Sequence, residues 1–210
     1  MVPRSFFARP SLEVARALIG MRLVRDDVVV RITEVEAYGG PADSASHARH
    51  GRTTRNAPIW GPPGHVYMYL CYGLHQMLNL VAGARAGDGH AILVRGGEVL
   101  AGLDTVLARR RASAASPALL AGPGKLAQGL GLDLAFSHHD VCAPGGLELH
   151  EGDGVVRVLA GPRVGIDFAA PRDRRAPLRF ALAGSGAVTE LATLAAPRRA
   201  GRARTPRRPA

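Results

Sequence analysis

The chain has 210 residues and a mass of 22.0 kDa, enough for one domain with a sizeable core. Its 47% hydrophobic and 21% charged content is that of a globular protein, and two cysteines are too few for a disulfide framework or a four-cysteine metal site. The net charge of +10 favours an anionic partner. With no apolar leader in residues 1–10 and no run of about 18 apolar residues, a cytoplasmic protein with no membrane association is expected.

The first predicted element is a helix that opens at Pro10-Ser11-Leu12-Glu13 with Ser11 as its N-cap and stops at Gly20. Val28 to Tyr38 reads as a strand in which Ile32, Glu34, Glu36 and Tyr38 share one face, and Val35 and Ala37 the other. Residues 39–64 are rich in Gly, Pro, Ser, Thr and Asn and read as one long loop, of the kind that usually carries function. His65 to Cys71 alternates as a second strand with His65, Tyr67, Tyr69 and Cys71 on one face. Tyr72-Gly73 marks a turn, and Leu74 to Val81 returns as a third strand with His75 and Asn79 on a common face, leaving Tyr72 near a hairpin tip.

Ala91 to Arg95 is a further strand and Gly102 to Arg111 a helix. A second short helix follows Gly122-Pro123-Gly124-Lys125-Leu126 and ends near Gly129 or Gly131. Short strands are expected at Leu147–His150, Val155–Leu159, Arg163–Asp167 and Leu178–Leu182. Residues 191–210 hold six arginines (198, 199, 202, 204, 207 and 208), no acid and no periodicity, so a folded domain over 1–190 and a disordered tail over 191–210 are expected. Lys125 is the sole lysine among 27 basic residues, so arginine number by itself says little.

All four tyrosines (Tyr38, Tyr67, Tyr69 and Tyr72) and the single tryptophan, Trp60, fall between residues 38 and 72, whereas all five phenylalanines lie outside. Aromatics with polar tips gathered around acids and histidines point to a pocket that stacks flat rings. Glu36 beside Tyr38 on an apolar strand should be desolvated and basic, as a general base requires, although an ordinary ion pair with an arginine is the plainer reading. Asp43, His47 and His50 hold oxygen and nitrogen donors close together, but without the helical spacing of a zinc motif. The Gly-Pro-Gly-Lys segment lacks the frame of a nucleotide-binding P-loop, leaving Lys125 as a candidate phosphate contact.

Several linked segments resemble the alkyladenine (3-methyladenine) DNA glycosylase family in order and spacing. They are Glu34-Val35-Glu36-Ala37-Tyr38-Gly39-Gly40-Pro41 with Asp43, Ser46-His47-Ala48-Arg49, and Gly51-Arg52-Thr53-Thr54-Arg55-Asn56. They continue in Pro63-Gly64-His65-Val66-Tyr67-Met68-Tyr69-Leu70-Cys71-Tyr72-Gly73, in Gly87-Asp88-Gly89-His90-Ala91-Ile92-Leu93-Val94-Arg95, in Gly122 to Leu126 and in Pro177-Leu178-Arg179-Phe180. The resemblance spans about residues 5–186. It implies an α+β fold: one domain with a curved, largely antiparallel β-sheet, partly open and barrel-like, surrounded by helices.

It further implies a monofunctional glycosylase that releases damaged purines from double-stranded DNA, works as a monomer near the nucleoid, and needs no metal or other cofactor. By the same resemblance Glu36 activates water and Arg95 helps position it. Tyr38, His47 and Tyr69 hold the flipped base, with Asn79 and Leu93 lining the same pocket. Tyr72 wedges into the duplex, and His75, Thr54, Arg52 and Lys125 contact the DNA. His75 departs from the pattern, since some relatives carry tyrosine there. A non-catalytic nucleic-acid-binding module is the alternative, disfavoured because an acid beside a phosphate-binding surface weakens affinity unless it has a task of its own.

Deleting the arginine-rich tail is expected to weaken DNA binding at low salt and to flatten the slope of log affinity against log salt, with little change in the saturating single-turnover rate. Binding titrations across a salt series check this, and a marked fall in the saturating rate would place the tail in the folded site.

Overall fold

The computed structural model describes residues 1–154 and 156–196. In chain order its elements are α1 (Ser11–Leu18), β1 (Arg22–Arg25), β2 (Val28–Tyr38), β3 (Val66–Cys71), β4 (His75–Ala82), β5 (His90–Ala101), α2 (Leu103–Arg110), α3 (Pro123–Leu130), β6 (Glu148–His150), β7 (Val158–Gly161), α4 (Pro171–Arg175) and β8 (Arg179–Leu182). All strand pairings are antiparallel, in the spatial order β3-β4-β5-β2-β1-β6, with β8 joined to β2 and β7 to β8. The α+β architecture expected from the sequence is therefore present, as a single curled sheet with a few helices. Among the described residues no helix is long and apolar enough to cross a membrane.

β2 is the trunk of the sheet, and its β-branched content suits it to pairing on both edges. One edge runs along β5 from Val29 to Tyr38. The other is shared: Val28–Arg31 pairs with β1, and Glu34–Glu36 pairs with β8. The sheet forks where one partner gives way to the other. Bulges mark the place, with Thr33 the extra residue on β2 and Arg95 the extra residue on β5.

A bulge inserts one residue and so reverses the alternation of faces. Val28, Val30 and Ile32 lie in the core before the fork, and Val35 and Ala37 after it. Ile32 therefore faces the core and not the Glu34–Glu36–Tyr38 face on which uninterrupted alternation places it. The core lies between this sheet face and the helices. α1 contributes Val14, Ala15 and Leu18, and α3 contributes Leu126, Ala127 and Leu130. Gly97 opposite Ile32 leaves room for this layer, since a Cβ there would stand 2.3 Å from a Val30 methyl.

Several boundaries differ from expectation. Pro10, not Ser11, is the N-cap of α1: its carbonyl accepts from the Glu13 and Val14 amides, and Ser11 is the first helical residue. β1 and α4 are too short to stand out as patterns. Arg163–Asp167 is irregular and not a strand, because the Val164 amide is drawn to the Glu36 side chain and Gly165 takes φ +72°. Val155, the first residue of another expected strand, lies outside the described residues, and β7 begins at Val158.

Ordered structure also passes the expected boundary at residue 190. Leu191–Thr193 forms a 3-10 turn, Ala195 bridges to Ala160, and Thr193 Oγ1 accepts from Arg179. The rest of the expected tail, residues 197–210, lies outside the described residues, and a tail truncation should cut there and not at 191.

The fork is closed by one carboxylate. Glu34, fully buried, accepts from Arg179 Nη1 on β8 at 2.8 Å, from Arg95 Nε on β5 at 3.3 Å, and from the Thr189 amide and hydroxyl at 2.7 and 2.8 Å. Replacing Glu34 by Gln would leave the buried Arg179 guanidinium without a counter-charge and Arg95 with Glu36 alone, a loss of about 3 kcal/mol or more and a fall in melting temperature of roughly 10 °C. Thermal melts check this, and a cost below about 1 kcal/mol would mean that the junction is held by the backbone ladder alone.

Candidate active site

Cross-strand partners share a face, and one row of partners crosses five strands: Tyr67 (β3), Asn79 (β4), Leu93 (β5), Glu36 (β2) and Arg179 (β8). Flanking rows hold Tyr69 with Met77, and Val81 with Ala91 and Tyr38. This is the sheet face turned away from the main core. It floors a cavity of about 420 Å³ that is also bordered by His47 and Arg55 from the 39–64 loop, Tyr72 from the hairpin, Pro123 from α3, and Val164, Ile166 and Phe168.

Glu36 is completely buried and does not itself border the cavity, but each group that holds its carboxylate does. Oε1 accepts from the Val164 amide at 2.8 Å and lies 3.4 Å from Arg95 Nη1; Oε2 accepts from the Tyr38 hydroxyl at 2.9 Å. Burial pushes the Glu36 carboxyl above the ordinary carboxylate range, while Arg95, the Val164 amide and Tyr38 oppose that rise without cancelling it. Glu34, two residues away, is saturated by charge-assisted partners, so the two carboxylates of one strand have different environments. Arg95 bridges them, and its place in the bulge is what lets it reach both.

The aromatic walls pack mainly edge to face. The His47 and Tyr69 rings are 4.6 Å apart at 71°, and Tyr67 and Tyr69 are stacked at 5.6 Å. His47 Nδ1 lies 3.0 Å from the Tyr67 hydroxyl. Burial of the ring, with the cations Arg55 and Arg49 beside it, lowers the His47 pKa and keeps the imidazole neutral at neutral pH. Burial raises the phenols of Tyr67, to about 12, and of Tyr69. The loop that carries His47 is pinned by Asn56, whose amide donates to the His47 and Gly51 carbonyls and accepts from the Thr53 amide and the Trp60 indole.

The structure thus gathers Glu36, Arg95, Tyr38, His47, Tyr69, Asn79 and Leu93 around one cavity. Tyr72 is 92% exposed with φ +50° at the tip of the β3–β4 hairpin, near Leu74, which is also largely exposed. His75 is exposed at the start of β4 and lies against Gly124 of α3, whose first turn also presents Lys125. Arg52 and Thr54 are exposed on the loop pinned by Asn56.

Tyr67 belongs with the walls although the sequence offered only its shared face with Tyr69 to single it out. Arg163 and Val164 come from a segment whose pattern reads as a plain strand, and Phe168 follows directly after it. The Asp43, His47 and His50 grouping is dispersed. Asp43 is committed to Arg163 and to two backbone amides, His47 to Tyr67 and His50 to Arg49. Among the described residues no three such side chains converge as ligands.

A sequence model of the methylpurine-DNA glycosylase family matches residues 5–186. The chain belongs to the methylpurine-DNA glycosylase family. Among relatives, a DNA-3-methyladenine glycosylase of Arabidopsis thaliana is 50% identical over 184 residues, 87% of this chain and 72% of that protein. A protein of Nitrosococcus oceani, provisionally named a 3-methyladenine DNA glycosylase, is 54% identical over 182 residues, 87% of this chain and 90% of its own. Every residue of the five-strand row falls inside the stretch that matches the methylpurine-DNA glycosylase family model.

In this methylpurine-DNA glycosylase the Glu36 carboxyl is expected to titrate above the ordinary glutamate range, because burial outweighs its three donors. Carbon-13 NMR of the side-chain carboxyl across a pH series measures this, and a midpoint at or below the ordinary value would show that the donors outweigh burial.

Proposed function

We propose that the protein hydrolyses the N-glycosidic bond of alkylated purines of the 3-methyladenine type in double-stranded DNA, with neutral lesions such as hypoxanthine as further candidates. The observation that carries this reading is Glu36. It is a buried, basic carboxylate on the same face, and in the same row, as the aromatic and amide groups of a cavity that suits a flat heterocycle. A base inside the stack is out of reach of such a cavity, so the nucleotide must be extruded. Tyr38, His47, Tyr67 and Tyr69 would then border the base.

A cationic methylpurine gains about 0.5–2 kcal/mol from aromatic faces relative to a neutral purine, and a neutral His47 does not oppose it. Its positive charge also makes it a good leaving group. The chemistry left to the protein is to deprotonate a water and to stabilise oxocarbenium-like charge at C1′, both tasks for a carboxylate. The water must reach Glu36 past Tyr38, Arg95 and Val164, which are the three groups holding the carboxylate. The one lysine, Lys125, is exposed on α3 and donates to the Ala118 carbonyl, so we assign it no Schiff-base lyase step and read the enzyme as monofunctional. We place it in the cytoplasm at the nucleoid, as a monomer.

Glu36→Gln keeps the shape of the side chain and loses its basicity. It should bind lesion DNA normally and release almost no base in single-turnover assays. A variant within about tenfold of wild type, or ~1.4 kcal/mol, would remove Glu36 from the base role.

Tyr72, exposed in the left-handed conformation at the hairpin tip, is suited to fill the gap that an extruded nucleotide leaves. Tyr72→Ala should slow excision from a paired lesion more than from a mispaired one, because less pairing has to be broken in the second case. Equal losses on both substrates together with a lower melting temperature would make Tyr72 a packing residue.

A further inference from the structure

Arg163 and Asp43 form a buried pair that the chemistry above does not use. The two are 5% and 6% exposed. Arg163 Nη1 and Nη2 donate to the two Asp43 carboxylate oxygens, Nη1 also donates to the Ala37 carbonyl at 2.9 Å, and the guanidinium lies 4.6 Å from the centre of the Tyr38 ring. Asp43 in turn accepts from the Gly39 and Ala45 amides, both at 3.0 Å. Although the buried Arg163 Nε has no hydrogen-bond partner, the bidentate contact of Nη1 and Nη2 holds both partners in one geometry and fixes orientation as well as distance.

The pair joins three parts of the cavity. Tyr38, which donates to Glu36, has the Arg163 guanidinium against its ring. The 39–47 loop that ends in His47 turns around Asp43. Val164, next to Arg163 in the chain, donates its amide to Glu36 Oε1. A backbone amide on a loop can hold a carboxylate only if the loop itself is fixed, and the side chain that fixes it is the adjacent Arg163.

We propose that Asp43 and Arg163 are positioning residues for the glycosylase reaction: their pair holds the Val164 amide and the Tyr38 hydroxyl on Glu36 and thereby sets the basicity of that carboxylate. The inference rests on the reading of Glu36 as the base. The other groups that face Glu36 are accounted for. Glu34 on its own strand raises the Glu36 carboxyl; Tyr69 on β3 faces it with a phenol that burial keeps protonated; Arg95 on β5 lies at 3.4 Å; Arg163 is electrostatically coupled to it; Arg179 on β8 is its cross-strand partner but spends its charge on Glu34. Of the donors to the carboxylate itself, two, Val164 and Tyr38, depend on Arg163 and one does not.

The sign of the effect follows. Donors to the ionised form favour it, so loosening them raises the pH below which Glu36 is protonated and inactive. The test uses the full chain as wild type, Asp43→Asn and Arg163→Lys, each checked by thermal melting, with the Glu36 carboxyl followed by carbon-13 NMR against pH. Both variants should raise the Glu36 midpoint by about one pH unit, a tenfold smaller ionised fraction on the acidic side. The acidic limb of single-turnover base release should move with it, while affinity for lesion DNA stays near wild type.

Folded variants whose Glu36 midpoint stays within about 0.2 units of wild type would overturn the proposal. In the wild-type protein alone, the Val164 amide resonance should titrate with the Glu36 midpoint, and a flat Val164 resonance would overturn it without any variant. Absence of base release by the wild type would refute the Glu36 reading instead, and the NMR midpoints would still decide on the pair.

Discussion

The Glu34 carboxylate, buried within β2 and shared by guanidiniums from β5 and β8, is the constraint on which the rest of the molecule depends. A strand with one partner along its length needs no such device. β2 has different partners on one edge above and below Thr33, and at the changeover its ladder is interrupted by the change of partner on that edge and by bulges on the β5 edge. A buried charge cluster supplies there what the ladder lacks. Its cost in desolvation is offset only because both oxygens of Glu34 have donors. The same bulge turns Arg95 toward Glu36, so the feature that closes the fold also delivers a cation to the site.

Two glutamates two residues apart on the same strand face thus have different fates. Glu34 receives two guanidiniums as well as the amide and hydroxyl of Thr189. Glu36 is compensated by fewer and weaker donors, and burial prevails over them. A basic carboxylate next to a saturated one is a common way to keep an acid–base group distinct from its structural neighbour. Here the separation comes from the number of guanidiniums each one receives.

The sequence carried much of this because the site lies on strands. The two-residue period of Val28–Tyr38 and Val66–Cys71 puts Glu36 with Tyr38, and Tyr67 with Tyr69, before any coordinates are known. Gly73 after Tyr72 likewise marks a hairpin tip with its aromatic outside. What local pattern cannot show is a parity change: nothing near Thr33 announces a bulge, so Ile32 was placed on the wrong face. Nor can it show partners separated by 120 residues, as Arg163 and Asp43 are. Asp43 reads as a possible metal ligand because a carboxylate near two histidines has that chemistry, and only the distant arginine changes its meaning. The segment 163–167 read as a strand because side-chain demand on its backbone is invisible in one dimension.

The five-strand row has a further consequence for how such an enzyme can change. Because successive residues of a strand alternate between the cavity and the hydrophobic interior, Glu36 and the packing beneath it share a single register, and a slip of one position would exchange them. Variation around the cavity is therefore easiest at side chains that border it without holding Glu36 or its donors, such as Arg55, Ile166 and Phe168. These can be exchanged while the sheet keeps its pairing and while Asp43 and Arg163 keep theirs. The stretches outside the sheet thus carry replaceable and fixed positions only a few residues apart.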